Sequence, residues 1–323
     1  MMPARVLSNL EIQPYRLRLA RPLRTARGIV EHRDGFVVLA RDGRFLGRGE
    51  AAPMHGTESL AECFDQLQRA TLDSLPTTPA ARHAVEQALF DLSAQRIGVP
   101  LARLLDARAG NEVPVSALLT GETMPELARE AQRAAADGFG TLKLKVGFRD
   151  DFARAAVVRD AVGPAVKLRI DANGAWNREQ ALERLRELAP LDIELCEQPT
   201  EDLLGLEAAP VPIAADELTA RDPDAALERA QVIVLKPMLL GGLLPALRLG
   251  RKALERGLKV IVTSSLDRAI GRAGAAHLAA ALHHHELAAG LATGRLLAED
   301  LCADTLAPRA GFLRIPDAPG LGL

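Results

Sequence analysis

Six short apolar runs in the second half of the chain each close on a polar residue, at spacings that constrain the architecture. They are Thr141-Leu142-Lys143-Leu144-Lys145, Leu168-Arg169-Ile170-Asp171-Ala172-Asn173, Ile193-Glu194-Leu195-Cys196-Glu197-Gln198-Pro199, Ile213-Ala214-Ala215-Asp216-Glu217, Val232-Ile233-Val234-Leu235-Lys236 and Val260-Ile261-Val262-Thr263-Ser264-Ser265. Lys145 to Asp171 and Asp171 to Glu197 are steps of 26 residues each, followed by 19 to Asp216, 20 to Lys236 and 28 to Ser264. Each step holds a strand, a helix and two loops. A polar group at the end of every buried strand is costly for folding, yet it is how a (β/α) barrel builds one site from many strands at its C-terminal mouth.

Organisation along the chain agrees. Leu10 to Leu19, Gly35 to Arg41 and Arg44 to Gly49 read as an antiparallel meander around the turn Asp42-Gly43. Ser59 to Leu72 and Pro79 to Arg96 carry helical periodicity and cover that sheet. From Val113 strands alternate with helices, including Met124 to Asp137 and about 150 to 162, which implies a parallel sheet. Strands near 113, 141, 167, 193, 212, 232, 259 and Leu287 to Thr293 give the eight a barrel needs. The expected class is therefore α/β, a modified TIM (β/α) barrel over residues 111–295. An α+β capping domain is expected from residues 1–110 together with the tail 296–323.

Composition narrows the partners. A net charge of −2 gives no field that would favour nucleic acid or an anionic membrane. The apolar stretch Val232 to Leu247 is broken by Lys236, two prolines and two glycines, so no membrane span is expected. The first twenty residues lack the continuous apolar core of a signal peptide. Cys63, Cys196 and Cys302 are too scattered for a disulfide framework, which points to a reducing cytoplasm. The expected partner is a small-molecule carboxylate substrate, and oligomeric state is not read from the sequence. No G-x-G-x-x-G, G-x-x-x-x-G-K or G-x-S-x-G occurs, so nucleotide and acyl-transfer classes lack support.

Leu168, Ile170 and Ala172 alternate with Arg169, Asp171 and Asn173, so one strand face is apolar and the other polar. With the polar face inward, Asp171, Glu197 and Asp216 supply three carboxylates from neighbouring strands. That set suits a hard divalent ion, Mg2+ first and Mn2+ second. Each carboxylate alone could equally be a surface residue past a strand end; the joint spacing argues against that. Lys143 and Lys145 share a face of the second barrel strand, and Lys236 ends the sixth, about opposite in the ring. Lysine is rarely buried unpartnered, so these ammoniums need the carboxylates as neighbours. A lysine base, a second lysine across the cavity and a metal held by carboxylates match proton abstraction α to a carboxylate, where enediolate charge must be stabilised.

These residues resemble the enolase superfamily, in its muconate-lactonising-enzyme subgroup, and within it the o-succinylbenzoate synthases. The resemblance spans essentially the whole chain and rests on Lys143-Leu144-Lys145-Val146-Gly147, Arg169-Ile170-Asp171-Ala172-Asn173 with Trp176, Glu197-Gln198-Pro199, Asp216-Glu217, Lys236-Pro237 and Thr263-Ser264-Ser265. It implies that Asp171, Glu197 and Asp216 bind Mg2+, that Lys145 removes the α proton and returns it to the departing hydroxyl, that Lys236 stabilises the enediolate, and that Lys143 orients Lys145. The implied reaction is syn dehydration of 2-succinyl-6-hydroxy-2,4-cyclohexadiene-1-carboxylate to 2-succinylbenzoate in menaquinone biosynthesis.

Similar dipeptide epimerases carry Asp-x-Asp after the last barrel strand, where this chain has Gly290-Leu291-Ala292-Thr293-Gly294; a mandelate-racemase-like enzyme would place a histidine near Ser264. Racemisation of N-acylamino acids, which needs bases on both faces, stays open. So does a noncatalytic binding protein on the same barrel, although such a protein would be expected to lose Lys145 or a metal ligand. Arg169, Asn173, Ser264, Ser265 and the Gly290 backbone are expected to bind substrate. Arg21 to Gly35 and Pro53 to Ser59 are expected as loops over the mouth, and His283-His284-His285 as a solvated face.

Overall fold

The computed structural model describes residues 10–25, 28–54, 57–71, 74–283, 286–303 and 305–323. The cap opens with an antiparallel sheet of β1 (Leu10–Thr25), β2 (Gly28–Asp42) and β3 (Phe45–Ala51), in that order. Gly43 takes the left-handed φ of +56° that its tight turn requires. Helices α1 (Leu60–Arg69), α2 (Pro79–Ile97) and α3 (Leu101–Leu105) follow. Helix α2 lies directly on β3 because Gly47 and Gly49 have no side chain: a Cβ on either would collide with the carbonyl oxygen of Ala88 or Ala84.

The chain then runs β4 (Glu112–Pro114), β5 (Ala117–Leu119), α4 (Met124–Ala136), β6 (Thr141–Lys145), α5 (Asp151–Val162), β7 (Lys167–Asp171), α6 (Arg178–Leu188) and β8 (Ile193–Glu197). It continues through β9 (Ile213–Ala215), α7 (Glu217–Arg221), α8 (Pro223–Arg229), β10 (Val232–Leu235), α9 (Leu243–Glu255), β11 (Lys259–Val262), α10 (Ala269–Leu282) and β12 (Phe312–Arg314). Strands β5 to β11 form one seven-stranded parallel sheet in sequence order.

Three expectations are corrected here. The run from Val113 to Leu119 is not one strand. Pro114, which has no N–H to give a ladder, ends β4, and β4 pairs antiparallel with β12 outside the barrel. The eighth strand shrinks to Ala289 and Gly290, which bridge Val115 and Thr263 and bring the two edges of the curled sheet together. Arg21 to Gly35 is largely hairpin strand rather than loop, since Leu23, Arg24 and Thr25 pair with Val30, Ile29 and Gly28. Residues 26, 27, 55 and 56 of the two mouth segments, and His284 and His285, lie outside the described residues. His283 caps the end of α10 with its Nε2 3.3 Å from Asp106.

Strand alternation divides the barrel residues. Leu142, Leu144, Leu168 and Ile170 are fully buried between sheet and helices. Leu195, Ala214, Val232, Val234, Ile261 and Leu287 form a separate apolar cluster. Two residues further along the same strand faces stand Glu197, Asp216 and Lys236. The apolar cluster is thus the floor on which the charged layer rests.

Buried polar side chains join cap to barrel. Gln87 on α2 accepts from the Glu50 N–H (3.1 Å) and donates to the Ile270 carbonyl (2.7 Å). Glu86 accepts from the Leu244 N–H at the start of α9 (3.2 Å). The tail returns to the cap, with the Leu321 N–H on Asp91 (2.8 Å) and the Leu101 N–H on the Gly320 carbonyl (2.8 Å). His277 accepts from the Ala102 N–H at Nδ1 (3.0 Å), so its Nε2 donates to the Leu321 carbonyl (3.2 Å).

Burial holds His83 neutral, its pKa pushed down to about 3, and lowers His277 to about 4. The unfolded chain binds protons at these residues below about pH 6.5 while the fold does not, so their contribution to stability falls as pH drops toward the folded values. Wild type should therefore lose stability relative to a His83→Leu variant by up to about 1.4 kcal/mol per pH unit between about pH 6 and 4. Paired urea titrations measure this difference, and a pH-independent difference would refute it.

Candidate active site

The charged layer opens into a cavity of about 950 Å3 between the cap and the C-terminal ends of the barrel strands, within the range of small-molecule sites. Lys143, Lys145, Asp171, Asn173, Asp216, Glu217 and Lys236 line its floor. His32, Arg33, Asp34, Met54 and Glu58 line it from the cap, and Ser264, Ser265, Gly290 and Thr293 complete the wall.

Register sets the charge pairing. Lys145 lies beside Asp171 across β6 and β7, and Asp171 beside Glu197 across β7 and β8. The Lys143 ammonium bridges two strands, 2.7 Å from Glu197 and 2.9 Å from Asp171. Burial disfavours that ammonium, but Asp171, Glu197 and Asp216 outweigh it and hold its pKa above the ordinary lysine value. Lys236 donates to Asp216 at 2.5 Å, and there too carboxylate attraction overcomes burial and raises the pKa. Burial also acts on the carboxylates: it lifts Glu197 to about 7, with Asp171 and Asp216 adding repulsion, and it raises Asp216. Asp171 stays below the usual range because its lysine neighbours overcome burial.

Lys145 is partnered differently. Its ammonium donates to Asn173 Oδ1 at 2.5 Å, and Asn173 Nδ2 donates to Glu217 at 3.2 Å. Asn173 itself has a left-handed φ of +47°, which asparagine tolerates, and its N–H bonds Asp171 Oδ1 at 3.0 Å. Gln198 shapes the next strand end, accepting from the N–H groups of Asp216 (2.9 Å) and Leu218 (3.1 Å) through one oxygen.

Among the described residues no three acidic, histidine or cysteine side chains converge as a ready metal shell, because the ammoniums sit among the carboxylates. The donor set nonetheless suits a hard cation: three buried carboxylates on adjacent strands, with Asp216 Oδ1 buried and unpartnered.

The expected substrate contacts separate. Asn173 reaches the cavity but is engaged with Lys145. The Gly290 N–H is spent on the Val262 carbonyl (2.9 Å), so its backbone has no donor to offer a ligand. Ser264 Oγ shares a hydrogen bond with Thr293 Oγ1 (2.9 Å), and Ser265 Oγ is buried without a partner among the described residues. Arg169 is not a cavity residue. A bulge opposite Leu168 and Arg169 displaces Glu194 in the pairing, and Arg169 Nε meets Glu194 at 2.5 Å while its NH1 group donates to the Ala288 carbonyl at 2.6 Å. Glu217, Thr293 and Arg33 were not singled out from sequence. Glu217 carried a signal in following Asp216 at a strand end. Arg33, whose guanidinium bonds the carbonyls of Ala52, Pro53 and Ser265, carried none.

Residues 126–323 match the family described as enolase C-terminal domain-like. The chain belongs to the enolase superfamily. Among its superfamily relatives, an o-succinylbenzoate synthase of Thermobifida fusca is 42% identical over 63% of this chain and 66% of its own length, just under two thirds. An L-Ala-D/L-Glu epimerase of Bacillus subtilis is 30% identical over 98% of this chain and 96% of its own. That epimerase's substrate-liganded structure superposes with a TM-score of 0.89 at 29% identity, covering 98% of each chain. A dipeptide epimerase of Enterococcus faecalis, solved with Mg and L-Leu-L-Tyr, gives a TM-score of 0.87 at 29% identity over 98% of this chain and 99% of the other. This superfamily member thus has relatives in both lyase and isomerase classes.

Because Arg169 is buried against a partly buried Glu194, Arg169→Met should cost up to about 3 kcal/mol by leaving Glu194 uncompensated, and adding Glu194→Gln should recover part of it. Urea midpoints check this. A normal midpoint with a raised KM would restore Arg169 to the substrate site.

Proposed function

We propose that the chain is a Mg2+-dependent enzyme that abstracts the proton α to a substrate carboxylate, and that its reaction is the syn dehydration of 2-succinyl-6-hydroxy-2,4-cyclohexadiene-1-carboxylate to 2-succinylbenzoate. The observation that carries the reading is that Lys145 and Lys236 line one cavity from β6 and from the end of β10, with buried carboxylates between them. Asp171, Glu197 and Asp216 would hold Mg2+, with Mn2+ as substitute, and the ion supplies positive charge for the substrate carboxylate oxygens as they gain electrons.

The chain's own groups do the proton work. Lys145 takes the α proton and returns it to the departing hydroxyl on the same face. Lys236, fixed by Asp216, offers a preorganised positive charge from across the cavity. Lys143 neutralises Asp171 and Glu197 and keeps Lys145 at their edge. Ser265 Oγ and the Ser264–Thr293 hydroxyl pair present neutral donors to the rest of the substrate.

A dipeptide ammonium needs an acid partner, and Gly290 to Gly294 provides none, so the synthase relative is favoured over the epimerases. The same placement of Lys145 and Lys236 favours racemisation of an N-acylamino acid as the second reading, because 1,1-proton transfer needs a base on each face.

Exhaustive EDTA treatment should abolish dehydration, and Mg2+ or Mn2+ should restore it; full activity in the chelated enzyme would end the metal assignment. Turnover of L-Ala-D/L-Glu should be negligible beside dehydration. Lys145→Ala should stop both dehydration and exchange of the substrate α proton in D2O. Lys236→Ala should lose about 3 kcal/mol of transition-state stabilisation, the size of one preorganised donor, and Lys236→Arg should recover little because a planar fork replaces a point charge. In a racemase each variant would keep exchange with one enantiomer, so deuterium incorporation into both hands of an N-acylamino acid decides between the readings.

A further inference from the structure

We propose that Glu217 is a positioning residue for Lys145, acting through the side-chain amide of Asn173. The inference rests on Lys145 being the base and goes further by naming what aims it. Asn173 has little freedom except the sense of its amide. Its backbone is tied to Asp171 Oδ1 by its N–H (3.0 Å), and Gly174 donates to the Gln198 carbonyl (2.6 Å). The two ends of the amide are opposite in kind, since the oxygen only accepts and the nitrogen only donates. A carboxylate can only accept, so Glu217 Oε1, 3.2 Å from Nδ2, holds the NH2 group on its own side and leaves Oδ1 facing Lys145. The other carboxylate oxygen of Glu217 is buried with no partner among the described residues, so it makes no second hydrogen bond to them.

The sense of the amide matters to a base. A neutral lysine has two N–H bonds and one lone pair. With Oδ1 facing it, Lys145 gives one N–H to Asn173 and its lone pair is left for the substrate. With the amide reversed, the NH2 group would donate into that lone pair and occupy the atom that must take the proton. It would also oppose the ammonium after proton transfer. Glu217 thus acts on the reaction without touching the reacting atoms.

The test uses Mg2+-supplemented enzyme and the variants Glu217→Leu, Glu217→Gln and Asn173→Leu. Glu217→Gln can accept from Nδ2 but can also donate to Oδ1, so it no longer fixes the sense of the amide and should lie between wild type and Glu217→Leu, which should lower kcat at least about tenfold with KM within about twofold. In the Asn173→Leu background Glu217→Leu should add less than about twofold, because its route to Lys145 is already cut.

A readout independent of turnover is pulsed acetic anhydride labelling followed by mass spectrometry. Labelling of Lys145 relative to the exposed Lys167 should slow several-fold in Glu217→Leu and by less in Glu217→Gln. If Glu217→Leu does not fold, the N173D variant should lose activity by setting two carboxylates together, and N173D/E217Q should regain it by reversing donor and acceptor. Equal Lys145 labelling in wild type and Glu217→Leu overturns the proposal. So do additive losses in the double variant, and failure of N173D/E217Q to recover. If wild type turns over no α-proton donor, the proposed reaction falls, while the labelling arm still decides the role of Glu217.

Discussion

Three carboxylates buried on adjacent strands are the constraint around which the barrel is arranged. Two unit charges 4 Å apart interact by about 4 kcal/mol even at an effective dielectric of 20, so Asp171, Glu197 and Asp216 cannot share one layer without positive charge between them. Lys143 supplies it for two strands at once and Lys236 for the third. Lys143 must come from inside the ring, and strand alternation carries Lys145 onto the same face of β6, although such Lys-x-Lys pairs usually face water. The apolar floor of Leu195, Val232, Val234 and Ile261 excludes solvent from below and makes each of these pairings stronger than at a surface.

Alternation along strands was the part of this arrangement open to sequence reasoning. Once the spacing gave parallel strands, parity placed Lys143, Lys145, Asp171, Glu197, Asp216 and Lys236 on one inward surface, and the structure brings them there. What broke parity was not legible. The pairing irregularity at Glu194 turns Arg169 from a cavity residue into half of a partly buried ion pair. Nor does a sequence announce that two residues, Ala289 and Gly290, suffice where a whole strand was expected. Gly290 approaches Thr263 so closely that a Cβ would overlap its hydroxyl, and the N–H that looked available to substrate is consumed by the Val262 carbonyl.

The cap posed a different difficulty. Its hairpin and helices are local and were largely readable, but its seam with the barrel depends on long-range polar contacts with no local pattern. Glu50 is fully buried and receives the Tyr15 hydroxyl (2.7 Å) and the N–H groups of Arg268 (2.9 Å) and Gly271 (2.8 Å). Burial and the nearby Glu50 charge push Asp267 up to about 7. Arg33 lies against the same group and holds Ala52, Pro53 and Ser265 by their carbonyls, so cap strand and barrel loop meet the cavity as one wall. The fold thus fixes the ceiling of the site with buried hydrogen bonds added to shared apolar area, which favours one docking geometry over many similar ones.

The partners of the two lysines bear on which chemistry this scaffold performs. Lys236 faces a carboxylate, Asp216, an acceptor matched to an ammonium and left uncompensated if that ammonium gives up its proton. Lys145 faces a neutral amide oxygen, which can accept from an amine as well as from an ammonium and brings no charge of its own. A two-base racemase asks both lysines to cycle. A one-base elimination asks one to cycle and the other to stay charged. The unequal partners fit the second demand: the carboxylate beside Lys236 stabilises a positive charge there, whereas the amide beside Lys145 is neutral.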